Sequence, residues 1–155
     1  MSARTALLAG TGLLWATAAV TQQPIPHAHI FPDVSAAQGD IDAALKTAKR
    51  EHKRVLLDFG GDWCGDCQVL NLYFHQPENQ SLLDKNYVLV DVNVGRIDQN
   101  LDVGTKYGVD LKKGVPALAV VRPDGKSLYG QSGQFSDMRH MRSASVHHFL
   151  EKWKK

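Results

Sequence analysis

Two cysteines stand in this chain of 155 residues, Cys64 and Cys67, with two residues between them. A thiol pair so spaced can close into a disulfide and reopen, and so exchange electrons with other disulfides. The same spacing supplies half of a metal site. A structural zinc wants about four ligands, usually in two such pairs. The histidines are His27, His29, His52, His75, His140, His147 and His148, none at finger spacing from the cysteines. Dithiol chemistry is therefore the reading adopted, with no metal and no cofactor. The alternative is a Cys/His metal carrier that uses both thiolates as soft ligands. With both cysteines in one motif, no pair is left for a structural disulfide.

Such a pair needs elements to hold it. Val55-Leu56-Leu57-Asp58-Phe59 is an apolar run of strand length with one acid, and it breaks at Gly60-Gly61. Gln68–Phe74 has helical composition without Gly or Pro. Strand, tight turn, helix follows, with Cys64 at or just before the helix start. Unsatisfied N–H groups and the positive helix end favour a thiolate there, the form that attacks disulfides. Cys64 is then the nucleophile, and Cys67, a helical turn further on and less exposed, resolves the mixed disulfide. Asp58 lies where an unpaired carboxylate is costly. Burial raises its pKa and suits it to accept the proton of Cys67.

Trp63-Cys64-Gly65-Asp66-Cys67 resembles the Trp-Cys-x-x-Cys site of the thioredoxin superfamily, and Gly114-Val115-Pro116 resembles its cis-proline loop. Asp58, six residues before Cys64, matches the buried acid of thioredoxin. Val103–Val109 is similar to the segment leading into that proline. The likeness runs from near Val55 to Gly133. It implies an α/β thioredoxin fold, a mixed central sheet with helices on both faces. It also implies that Trp63 shields the thiolate's flank. Val115 and Pro116 would dock an extended substrate around its target cysteine, Val115 through its backbone. Three departures stand out. Asp66 replaces a proline between the cysteines, so Gly65 and Asp66 become redox-tuning positions, the acid disfavouring the Cys64 thiolate. Asp91 stands where thioredoxin has a lysine near its buried acid. Gly133–Ser145 is longer than the family's link to the last helix and carries Arg139, His140 and Arg142, either as a solvated loop or as a border of the substrate groove.

Taken in order, Asp40 is expected to cap a helix with Ile41, Ala44, Leu45 and Ala48 on one face. Pro77-Glu78-Asn79 should interrupt the helix after the cysteines, leaving Ser81–Lys85 as a short second piece. Tyr87–Val94 reads as a central parallel strand. Ile97–Tyr107 is expected to be helical, Ala117–Val121 and Ser127–Gln131 a hairpin around Pro123-Asp124-Gly125-Lys126, and the last helix to carry Val146, Phe149, Leu150 and Trp153 on one face.

One domain is the default for this length. At 43% hydrophobic and 22% charged the composition is ordinary for a globular protein, and a net charge of +2 offers no case for nucleic acid. Arg4 and the short apolar run Ala6–Val20, ending in a small-residue site, read as a secretory signal peptide over residues 1–19. Residues 20–36 read as an extended leader and 37–155 as the thioredoxin-like domain. The expectation is a periplasmic, monomeric thiol–disulfide oxidoreductase that reduces or isomerises disulfides in exported protein substrates. A thiol oxidase of the same fold is the rival within the class. A membrane-embedded electron donor is implied by resemblance to periplasmic thioredoxin-like proteins.

Overall fold

The computed structural model describes residues 27–131 and 133–155; the signal-peptide segment 1–19 lies outside them. The apolar run becomes strand β1 (Arg54–Gly60), buried from Val55 to Gly60. Its alternating side chains serve two cores. Val55, Leu57 and Phe59 face helix α1 (Ala37–Glu51), while Leu56 joins Leu70, Phe74, Leu118 and Leu150 on the other side. Helices α2 (Gly65–Phe74), α3 (Pro77–Asn86) and α5 (Ser143–Trp153) cover that second face. Strand β2 (Tyr87–Asn93) pairs parallel to β1 after the α2–α3 crossover, but at the edge of the sheet rather than in its centre. Strands β3 (Ala117–Val121) and β4 (Ser127–Gln131) form the expected hairpin, and β3 runs antiparallel to β1. The order β2-β1-β3-β4 is a mixed four-stranded sheet with β1 in its interior, so the dithiol leaves the sheet from its middle. Among the described residues no helix is long and apolar enough to cross a membrane.

Several boundaries differ from expectation. Asp33, rather than Asp40, supplies the cap: its carboxylate accepts the Ser35 N–H at 2.9 Å and starts a 3-10 turn, Val34–Ala36, that runs into α1. Asp40 sits in the first turn, where its charge suits the positive helix end. The helix does break after the cysteines, at His75-Gln76, but Pro77 already begins α3, a position where its missing N–H costs nothing, so the second piece is longer than Ser81–Lys85. Helix α4 (Leu101–Lys106) is shorter than expected. Ile97 and Asn100 take left-handed φ of 67° and 54°, and the Val94 carbonyl collects the N–H groups of Ile97, Asp98 and Gln99. That loop spends the backbone bonds a longer helix would need.

The 133–145 insert is not a solvated loop. Phe135 and Met138 are fully buried in the second core, Phe135 edge-on to Phe149. A Cβ on Gly114 would lie 3.2 Å from the Ser136 side chain, so the insert also rests against the proline loop.

Candidate active site

Cys64 is the N-cap of α2, with extended backbone angles. Its N–H closes the turn on the Gly61 carbonyl at 2.9 Å. Its sulfur accepts the Cys67 N–H at 3.1 Å, the place a capping oxygen takes at most helix starts. The two cysteines are joined as a disulfide. Cys67 is fully enclosed while Cys64 keeps 5% exposure, so Cys64 is the one residue of the pair that reaches solvent. In the reduced pair, the donated N–H and the helix end act on Cys64 and favour its thiolate.

The cis peptide Val115–Pro116 lies across from this sulfur, with the Val115 carbonyl oxygen 3.7 Å from Cys64 Sγ. Trp63 is 42% exposed and pinned: its Nε1 donates to the Gly95 carbonyl at 2.6 Å, and the Arg96 guanidinium lies 5.1 Å over the ring. A Cβ on Gly61 would come within 2.6 Å of that indole nitrogen, which explains the glycine. Gly65 faces open space. Asp66 is in the first turn of α2 and meets Arg139 of the insert, Nε to Oδ1 3.6 Å.

Asp58 faces the α2 side of β1, 1% exposed, and its Oδ1 has no hydrogen-bond partner. Two residues on, Gly60 shares that face, and a Cβ there would lie 2.7 Å from Cys67 Sγ. Asp58 therefore sits one pleat, roughly 7 Å of strand, from where the buried sulfur meets the sheet. Asp91 is its register partner on β2. Burial pushes the Asp58 pKa well above the usual carboxylate range, and the Asp91 charge adds to it. Burial also raises Asp91, to about 6, against the pull of His75 and with a push from Asp62. Two neighbouring acids thus stand side by side on β1 and β2, and the fully buried one favours its neutral form.

Sequence reasoning missed three residues at this site. Phe31, Asp62 and Gln68 join the segment before α1 to the active-site turn through bonds 31 to 40 residues apart in sequence. No local spacing announces such a contact. Among the described residues no group of three or more His, Cys, Asp or Glu is arranged to hold a metal ion.

A dithiol at a helix N-terminus, facing a cis-proline on a mixed sheet, defines a thioredoxin-fold exchange site. Residues 36–123 match the family model described as thioredoxin-like. The chain belongs to that family, and its Cys64–Cys67 pair makes it a thiol–disulfide oxidoreductase. It superposes on a crystal structure of a disulphide isomerase from Xylella fastidiosa Temecula1 with a TM-score of 0.71 and 33% identity, covering 86% of this chain and 98% of that one. The C-terminal domain of Neisseria meningitidis DsbD in its oxidised form matches at TM-score 0.52 and 25% identity, over 79% of this chain and 97% of that domain. Full-length DsbD from the same species, a thiol:disulfide interchange protein, is 34% identical over 103 residues. That match takes in 64% of this chain and only 16% of DsbD.

Proposed function

We propose that this protein reduces or isomerises disulfides in exported proteins, working in the periplasm after removal of residues 1–19 and drawing electrons from a membrane-embedded donor. The observation that carries the reading is the Cys67 N–H aimed at Cys64 Sγ, which prepares one sulfur of the pair for attack. The likeness to a disulphide isomerase and to the DsbD C-terminal domain supports disulfides as the class of substrate. The Cys64 thiolate attacks a substrate disulfide, one substrate sulfur leaves as a thiolate, and a mixed disulfide forms. Cys67 then loses its proton and attacks Cys64 Sγ. The second substrate sulfur leaves and is protonated, and the Cys64–Cys67 disulfide closes. Two electrons pass from protein to substrate. Asp58 takes the Cys67 proton, the Val115 backbone and Pro116 dock the extended substrate, and Trp63 screens the attacking flank.

The deciding measurement is the reduction potential of the Cys64–Cys67 pair against a glutathione or dithiothreitol buffer. A reductase or isomerase should fall between about −270 and −180 mV, the range of thioredoxin and disulfide isomerase. A value near about −120 mV, that of a strong oxidant, would replace the proposal by the oxidase reading.

Gly65 and Asp66 tune that potential, but the fold adds a partner to Asp66. Arg139 partly cancels its charge, so the carboxylate raises the Cys64 pKa less than it would alone. The guanidinium is 74% exposed, and such a pair contributes under about 1 kcal/mol. Asp66→Asn should lower the Cys64 pKa and move the potential up, whereas Arg139→Ala should do the reverse. Each shift should stay within about 20 mV, since about 30 mV corresponds to 1.4 kcal/mol. Thiolate titration by ultraviolet absorbance reads both variants. Shifts of the same sign would remove the pair from the mechanism.

A further inference from the structure

The segment before α1 is bonded to the dithiol turn in a way that packing alone does not require. The Asp62 carboxylate, two residues before Cys64, accepts the N–H groups of Ile30 at 2.8 Å and Phe31 at 3.0 Å through one oxygen. Its other oxygen meets His29 Nδ1 at 2.5 Å. Gln68, the residue after Cys67, is 8% exposed and uses both ends of its amide. Its Oε1 accepts the Ala28 N–H at 3.0 Å, and its Nε2 donates to the Ala28 carbonyl at 2.9 Å and to the Asp62 carbonyl at 3.1 Å. These bonds deliver one large side chain. Phe31 is 1% exposed, and its ring converges with Cys67 Sγ on Gly60, where a Cβ would lie 2.6 Å from the ring and 2.7 Å from the sulfur. Ring and sulfur therefore lie no more than about 5 Å apart, a separation at which a sulfur interacts favourably with an aromatic ring.

We propose that Ala28–Phe31 is a strap that closes the inner side of Cys67, and that Asp62 and Gln68 are positioning residues for the resolving thiol. This rests on the exchange reading of the pair. Resolution requires Cys67 to give up its proton before it attacks Cys64 Sγ. A ring sealed over that sulfur excludes water, disfavours the thiolate and keeps Cys67 unreactive until a base takes the proton. The strap therefore sets when the second thiol fires. The titratable groups around it are His29 and Asp62 in the strap's own contact, Asp58 on β1 with Asp91 beside it on β2, and Asp66 in the first turn of α2. Burial works against the Asp62 charge, but the N–H groups of Phe31 and Ile30 and the His29 ring hold its pKa below the usual carboxylate value. The anchor stays ionised at neutral pH and is lost only in acid.

The test is alkylation of Cys67 by iodoacetamide in the full chain carrying Cys64→Ser, followed against pH with the fold monitored by circular dichroism. Adding Phe31→Ala should speed alkylation at pH 7 by roughly tenfold, the gain in thiolate from a one-unit fall in pKa. Asp62→Ala should do the same although its side chain does not bear on the sulfur, and Asp62→Asn, which keeps the accepting oxygen, should restore the slow rate. Asp33→Ala, which loosens only the neighbouring 3-10 turn, should leave the rate unchanged. An unaltered Cys67 rate in folded Phe31→Ala or in folded Asp62→Ala overturns the strap, as does equal acceleration by Asp33→Ala. Failure of the exchange reading would appear elsewhere, as turnover that survives Cys64→Ser.

Discussion

Cys64→Ser should reduce dithiol-driven disulfide turnover to the uncatalysed background, while Cys67→Ser should yield a protein that accumulates mixed disulfides with its substrates. The asymmetry follows from the α2 start. Cys64 caps the helix, receives the Cys67 N–H and is the one cysteine of the pair with any exposure, so the first attack is expected from it. Cys67 is enclosed and meets a disulfide only after Cys64 has formed one. Without Cys67 the covalent complex has no internal exit, and release waits for an outside thiol. Non-reducing electrophoresis of each variant after incubation with an oxidised substrate separates the two behaviours. Full turnover in both single variants would sink the mechanism.

Asp58→Asn should make the protein more stable and slower. The carboxyl is buried, its Oδ1 lacks a partner, and its pKa is raised by burial first and by Asp91 second. A raised folded pKa means that the folded chain holds its proton where the unfolded chain has lost it. The wild type therefore loses stability as pH climbs from about 3.9, the unfolded value, through the folded pKa, and the loss stays constant above it. Asparagine never ionises, so its advantage grows across that window and then levels. At pH 8 that advantage should be larger than at pH 4. Denaturant titrations of the oxidised proteins at pH 4 and pH 8 measure it. The same substitution removes the acceptor for the Cys67 proton, so resolution should slow several-fold near neutral pH and recover above the ordinary thiol pKa of about 8.5. Equal resolution rates from pH 6 to 9 would leave Asp58 without a catalytic part.

The exchange site was legible because its information is local. An apolar run with one acid, a glycine pair, two cysteines and a helical stretch follow one another within twenty residues, and β1, the turn and α2 form where that order puts them. The hairpin was equally plain from Pro123-Asp124-Gly125. What stayed hidden depends on distance along the chain. Phe31 lies in a proline-rich stretch without periodicity, and its value comes from Gly60, Asp62 and Gln68. Phe135 and Met138 are three residues apart, an apolar spacing too short to mark an element, yet they fill the second core. The α4 boundary was misjudged because Ile97 and Asn100 adopt left-handed backbone that composition does not advertise. The loop there is held by Asn100 Nδ2, which donates to the carbonyls of Val34 and Asn93.

The pinned indole beside the dithiol has an optical consequence. Disulfides quench tryptophan emission at short range by accepting an electron from the excited ring, and a free dithiol does so weakly. Of the two tryptophans described, Trp63 is one peptide unit from Cys64 and held by the Gly95 carbonyl, whereas Trp153 packs against Tyr129 at the end of α5. Emission from Trp63 should therefore brighten when the pair is reduced while that of Trp153 stays level. The molecule thus carries its own gauge of redox state, and the progress of the couple can be followed in real time without an attached dye.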